Sequence, residues 1–242
     1  MRLPAAALVT AALAGCGGQP SPPPATAQPP AFRAEKHERD HARPDGRWLT
    51  ARVLAPVRLR ATPHGRRLER IRPRTEFGSP KVLSVVGRRG RWLRVLAPEL
   101  PNHRAGWIPA ARTRLGATDV SIHVDRSRRR LELRRGGRTL RRLPVAVGRP
   151  GTPTPLGRFA VTDKLRAGRS DSPYGCCAVA LTGHQTKLLR GWPGGDRLAV
   201  HATPQPETIG EAASLGCLRA GTPDMQALMR KVPLGAPVFI AA

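Results

Sequence analysis

From residue 48 onward, apolar and polar residues alternate in short runs, the period of a half-buried β-strand. "ARVLAPVRLRA" alternates and leads into the turn "TPHG". "RLERI" and "TEFGSPKVLSVVGRRGRWLRVLA" continue the pattern, with strands on either side of "GRRG". "PELPNHRAGWIPA" closes it with a turn and a short strand. Short strands separated by turn signals predict a small barrel over residues 47–115. A second β-rich unit is expected over residues 119–242. There "VSIHVDRSRRRLELRRGGRTLRRLPVAVGRP" gives two or three strands, and the turn "RRGG" makes a hairpin with Leu131 and Leu133 on one face. "CCAVAL" reads as a short buried strand, "DRLAVHA" as an apolar strand ending at His201, and "GAPVFI" as a final strand. Two runs look helical. "IGEAA" is short, and "TPDMQALMRKV" is amphipathic, with Thr222 or Asp224 near its start and Met225, Leu228 and Met229 on one face. The fold class is mainly β with short helices, in two domains and without an internal repeat.

Upstream the pattern changes. Residues 5–14 are apolar but too few to span a bilayer, and Arg2 precedes them, as in a secretory signal. Leu13-Ala14-Gly15-Cys16 resembles the lipobox of bacterial lipoproteins. That resemblance implies a signal peptide over residues 1–15 and lipid on Cys16, which would tether the chain to a membrane by its N-terminus. Residues 16–46 read as a tether: "GGQPSPPPATAQPP" is rich in Pro and Gly, and "AEKHERDHARPDG" is nearly free of apolar residues. The expected location is extracytoplasmic, facing the cell wall.

Charge narrows the partners. The chain carries 42 Lys and Arg against 16 Asp and Glu, a formal +26. The cations are spread along the chain, which fits a basic solvated surface or attraction to a polyanion. Anionic cell-wall polymers, anionic lipid and nucleic acid are the candidates. Export and scarce aromatics argue against nucleic acid.

The four cysteines are Cys16, Cys176, Cys177 and Cys217. With Cys16 assigned to lipid, an odd number remains, in a compartment where paired thiols are the default. Adjacent Cys176 and Cys177 pair only with strained geometry, so one buried thiol with the other facing away is expected. No Cys-x-x-Cys pair is present and the His and Cys spacings match no zinc pattern. Cys217 follows Gly216, which permits a tight turn and close approach of a substrate. "LGCLR" is read as preceding a helix, so free backbone N–H groups would point at the sulfur or at an oxyanion. A thiol needs a nearby base, and His201 ends a strand, where a side chain can project into a site. Residue spacing leaves Cys217 between a nucleophile served by His201 and an ordinary buried cysteine.

Two resemblances extend this reading. "VRLRATPHG", "GRWLRVLA" and "GWIPA" resemble the bacterial SH3-like domain, which implies a wall-binding module or a structural spacer. "GTPTPLGRF", "SPYG", "GGDRLAVHATPQPETIGEAASLGCLRA" and "GAPVFI" resemble the YkuD-type L,D-transpeptidase catalytic domain over residues 119–242. By that resemblance Cys217 is the nucleophile and His201 its base. The carbonyl of Ala202 holds the imidazole tautomer, in the place of a triad carboxylate. Amides around Leu215, Gly216 and Cys217 form the oxyanion hole. Ser214, Arg219 and Tyr174 shape the site or contact substrate. Leu215 stands where many members carry a second histidine, and Ala202 where many carry glycine, so His201 is left as the base within the motif.

The implied reaction needs no metal or organic cofactor. Its substrate is the stem peptide of peptidoglycan: a cysteine thioester forms with loss of the terminal D-alanine, and an amine of a neighbouring stem resolves it. Carbapenem-type β-lactams acylate the same sulfur in this family. A monomer is expected. The rival readings are an L,D-carboxypeptidase, if water resolves the thioester, and a lipid-tethered wall-binding protein, if Leu215 disables the site.

Overall fold

A computed structural model describes residues 46–166, 172–188 and 195–242. The signal peptide, Cys16 and the tether lie outside these residues. Strand β1 (Trp48–Val53) opens a seven-stranded antiparallel sheet. The sheet continues with β2 (Val57–Arg60), β3 (Arg67–Ile71), β4 (Val82–Arg89), β5 (Trp92–Val95), β6 (Gly106–Pro109) and β7 (Thr113–Thr118), in the order β3-β2-β6-β5-β4-β1-β7. Alternation explains its core: Val57, Leu59, Leu93, Val95 and Ile108 are all buried in one cluster, while Arg58, Arg94 and Trp107 point the other way. The last strand runs to Thr118, three residues past the expected boundary at Leu115, because Thr118 pairs with Trp48.

Strand β8 (Val120–Asp125) follows after one residue and starts an eight-stranded mixed sheet. Its other members are β9 (Arg130–Arg135), β10 (Arg138–Pro144), β12 (Gly157–Arg166), β13 (Cys177–His184), β14 (Arg197–Ala202), β16 (Leu218–Ala220) and β17 (Pro237–Ala241). They run β10-β9-β8-β17-β12-β13-β14-β16, with β17 parallel to β8 and β14 parallel to β16. A short parallel pair, β11 (Val147–Gly148) with β15 (Ala212–Ser214), lies beside it. The helix Thr222–Lys231 packs Met225 and Leu228 into the core, with Met229 partly buried against it, as its spacing predicts. The run "IGEAA" is not helical. A turn covers residues 209–211 and Ala212 enters β15, where pairing with Val147 overrides the helical preference of a short segment.

The two sheets touch through polar and aromatic contacts within one compact unit. Thr75 Oγ1 donates to Asp163 Oδ1 at 2.5 Å, and Arg197 on β14 forms an ion pair with Glu76. Asn102 reads the end of β13 like an added strand: its amide donates to His184 O at 2.7 Å and accepts from His184 N at 2.9 Å. Arg158 lies over the rings of Trp48 and Phe239, at 5.2 and 5.4 Å. Phe239 also stacks on His123, whose imidazole burial pushes down to about 3, with Arg134 adding to the effect.

A buried neutral histidine makes folding pH-dependent. The unfolded chain protonates His123 below pH 6.5 and the folded chain only near 3, so stability falls as pH drops through that window. Over the first 2.5 pH units the loss is about 3 kcal/mol for one such group. Denaturant melts at pH 7 and pH 4 should show a smaller drop for His123→Leu than for the wild type. Equal drops would remove His123 from this role.

Candidate active site

Parallel pairing of β14 and β16 assembles the candidate site. His201 is registered with Arg219 and Val200 with Leu218. Leu218, Val200, Ala202 and Ala220 face the core. The alternate positions, His201 and Arg219, with Cys217 just ahead of β16, therefore share the other face. The structure thus brings Cys217, His201 and Arg219 together across two neighbouring strands. His201 is 4% exposed, and its Nδ1–H donates to Ala202 O at 2.6 Å. That bond fixes the tautomer and leaves Nε2 with its lone pair. Tyr174 stands edge-on to the imidazole, with ring centroids 5.1 Å apart. Gly175 makes this contact possible: it adopts φ +58°, and a β-carbon there would lie 2.6 Å from Ala202 Cβ.

Burial governs the ionisation of both groups. It pushes His201 down to about 4; the Ala202 bond opposes the shift and Arg219 adds to it. Burial pushes the Cys217 thiol up, against the pull of the Ala199 N–H and of Arg219. Tyr174 is also raised, first by burial and then by a charge on Cys217. The thiol donates to Arg197 O at 3.8 Å, a contact that suits S–H and disfavours a thiolate. Both shifts favour a thiol and a neutral imidazole over an ion pair at neutral pH.

The turn before Cys217 is braced from within. Ser214 Oγ donates to Cys217 O at 2.6 Å and accepts from Gly216 N at 3.0 Å. Ser214 is 1% exposed, so it shapes the turn and does not meet substrate in this arrangement. The Gly216 N–H is likewise engaged by Ser214, which removes it from the expected oxyanion donors. The helix begins at Thr222, beyond β16, so its N-terminal amides do not lie next to Cys217 as "LGCLR" suggested. Cys176 and Cys177 pair with each other as a vicinal disulfide, in place of the expected pair of separate thiols, and Cys217 is free.

Sequence reasoning missed the groups that hold this turn from outside. Gln185 Nε2 donates to Leu215 O at 2.9 Å, to Pro153 O at 3.1 Å and to Thr152 O at 3.2 Å. Gly216, at φ +124°, lies against that same amide. Thr154 Oγ1 donates to Gly216 O at 2.9 Å and accepts from Gly148 N at 2.8 Å. The segment "GTPTPLG" is therefore the back wall of the site. Among the described residues no cluster of His, Cys, Asp and Glu could hold a metal ion.

The L,D-transpeptidase catalytic domain family matches residues 119–240, half of the chain. The chain belongs to this family. Curated relatives named as L,D-transpeptidase YkuD, from Bacillus subtilis and Bacillus licheniformis, are 29% and 30% identical over 119 residues. Each alignment covers 49% of this chain and 64% of the relative, so the chain spans a little less than two thirds of their length. Among solved structures, an L,D-transpeptidase from Mycobacterium tuberculosis is 22% identical with a TM-score of 0.43, covering 57% of this chain and 72% of that one. An L,D-transpeptidase from Mycobacterium smegmatis is 18% identical with a TM-score of 0.41, covering 62% and 90%. Within the L,D-transpeptidase catalytic domain of this chain, the Ser-x-Gly-Cys turn thus sits on a wall built by Gln185 and Thr154.

Two outcomes follow from this geometry. Alkylation of Cys217 by iodoacetamide should stay slow at pH 7 and climb only above the ordinary thiol range. A reactivity plateau from pH 5 upward would mean a resting thiolate–imidazolium pair. Gln185→Ala should slow acylation of Cys217 by about tenfold or more, because the buried and part-buried carbonyls of Thr152, Pro153 and Leu215 lose the amide that joins them, and one lost donor costs about 1–3 kcal/mol. Intact-mass time courses on a folded variant measure this, and an unchanged rate would show that the turn holds without Gln185.

Proposed function

We propose that this protein is a peptidoglycan L,D-transpeptidase working outside the cytoplasm, with Cys217 as nucleophile and His201 as general base. What carries the proposal is the His201 imidazole on the Cys217 face of the β14–β16 pair, its Nδ1–H engaged by Ala202 O and its Nε2 left as acceptor. Family membership supports the same reaction class.

The chemistry follows from a neutral ground state. Nε2 takes the thiol proton as sulfur adds to the carbonyl on the L-centre of the third stem residue. Ala202 O stays bonded to Nδ1–H and stabilises the imidazolium that forms. With the Gly216 N–H engaged, the amides of Leu215 and Cys217 are the proposed donors to the oxyanion, with Arg219 adding positive charge nearby. The C–N bond to D-alanine then breaks, and the leaving amine takes the proton from Nε2. An amine of a second stem attacks the thioester, gives its proton to Nε2 and forms the cross-link, releasing the thiol. Tyr174 would form one wall of the substrate groove over His201.

The upstream segments fit this setting. In this reading residues 1–15 are a signal peptide and Cys16 carries lipid. Residues 16–46 hold the enzyme away from the membrane, and the seven-stranded sheet is an SH3-like module. This arrangement would present the catalytic face to the wall.

A carbapenem tests the nucleophile. Intact mass should show one covalent adduct on the wild type and none on Cys217→Ala. On His201→Ala, adduct formation should slow by about 10²–10⁴-fold. An adduct persisting on Cys217→Ala would overturn the assignment.

A further inference from the structure

Positive charge is not spread evenly between the two sheets. Residues 47–118 contain sixteen arginines and Lys81 against Glu69, Glu76 and Glu99, a formal +14 in 72 residues. The 124 residues that follow carry twenty cations against nine acids, a formal +11. Two of the three glutamates are already engaged, Glu99 by Lys81 and Glu76 by Arg197 of the other sheet.

Strand register gathers part of this charge onto one outward face. Arg60 pairs with Trp107, Trp107 with Arg94, and Arg94 with Gly87, a row crossing β2, β6, β5 and β4. At the spacing of neighbouring strands this row spans about 14 Å. Next to it Arg89 pairs with Trp92. The arginines are held on the indoles: Arg60 lies over Trp92 at 5.9 Å and Arg89 over Trp107 at 5.8 Å. The Arg60 guanidinium is further fixed by donating to Gly65 O at 2.8 Å. Trp92 donates to His64 Nε2 at 3.2 Å, which pins its ring in turn. Gly87 leaves room for Arg94, whose Cβ would lie 3.4 Å from a β-carbon there.

We infer that this face of the seven-stranded sheet is a docking surface for an anionic cell-wall glycopolymer, gripped through its oxyanions. A guanidinium held on an indole offers its N–H fork with little rotamer entropy left to lose. Two such forks, with Arg94 on a strand between theirs, match a chain of spaced phosphates or carboxylates. Single-stranded nucleic acid would need open aromatic faces for its bases, and here a guanidinium covers a face of each indole. The choice of a wall polymer rests on the proposed cell-wall function, but the surface lies outside the catalytic face. Binding and acylation therefore fail or succeed separately.

The test uses the mature chain and synthetic poly(glycerol phosphate), with oligothymidylate of equal phosphate number as comparison. Binding is measured across a salt series. Arg60→Ala/Arg89→Ala/Arg94→Ala should weaken polymer binding at least tenfold and flatten the salt slope. Arg52→Ala/Arg112→Ala/Arg114→Ala removes the same charge from exposed positions on β1, on β7 and in the turn before β7, and should cost less than threefold. The corresponding Arg→Lys triple at 60, 89 and 94 keeps the charge and should still lose at least threefold, which holds the test open if the alanine triple does not fold. Carbapenem acylation of Cys217 should be unchanged in all three. Equal losses in the two alanine triples would mean diffuse attraction and overturn the inference. Oligothymidylate binding as tightly as the polymer would make this a nucleic-acid surface instead.

Discussion

At Gly216 the backbone takes φ +124° and lies against the Gln185 amide, leaving no room for a side chain. That amide donates to three carbonyls, two in the 152–153 loop and one at Leu215, and so joins the back wall to the turn that carries Cys217. Ser214 closes the turn from inside and Thr154 closes it from behind. The wall also reaches the other sheet, since Gln185 follows His184, whose backbone is paired with the Asn102 side chain. The position of the sulfur thus depends on one glycine, one glutamine and a contact between two sheets.

Electrostatics follow from that packing. The packing that buries His201 also leaves Cys217 only partly exposed, and the loss of water favours the neutral form of both. In the proposed mechanism the thiol proton then moves during attack, which gives His201 a task that a preformed thiolate would not require. The Ala202 carbonyl serves this task by fixing the tautomer, although it carries no full charge.

Period-two alternation made the half-buried strands legible, because there one face is covered and the sequence records which. "DRLAVHA" and "GAPVFI" were legible differently, as short apolar runs, because these strands are buried almost throughout. "IGEAA" misled because five residues hold too weak a helical preference to outweigh pairing with Val147. In the candidate site, Cys217 and His201 were singled out as candidates by residue type and context, and the family resemblance pointed to both and to Ala202. Gln185 and Thr154 were not, since their importance lies in contacts 30 and 62 residues away along the chain. Ser214 was legible as a site residue, yet only its hydrogen bonds distinguish a brace from a substrate contact. The arginine face was hidden for a similar reason: charge counts along the chain do not show which residues a sheet register will align.

The most direct measurement is the fate of a purified disaccharide-tetrapeptide incubated with the protein and followed by mass spectrometry. The expected result is a dimer lighter by D-alanine, formed by the wild type and not by Cys217→Ala. Tripeptide alone, or no turnover with the wall still bound, would contradict transpeptidation by this site.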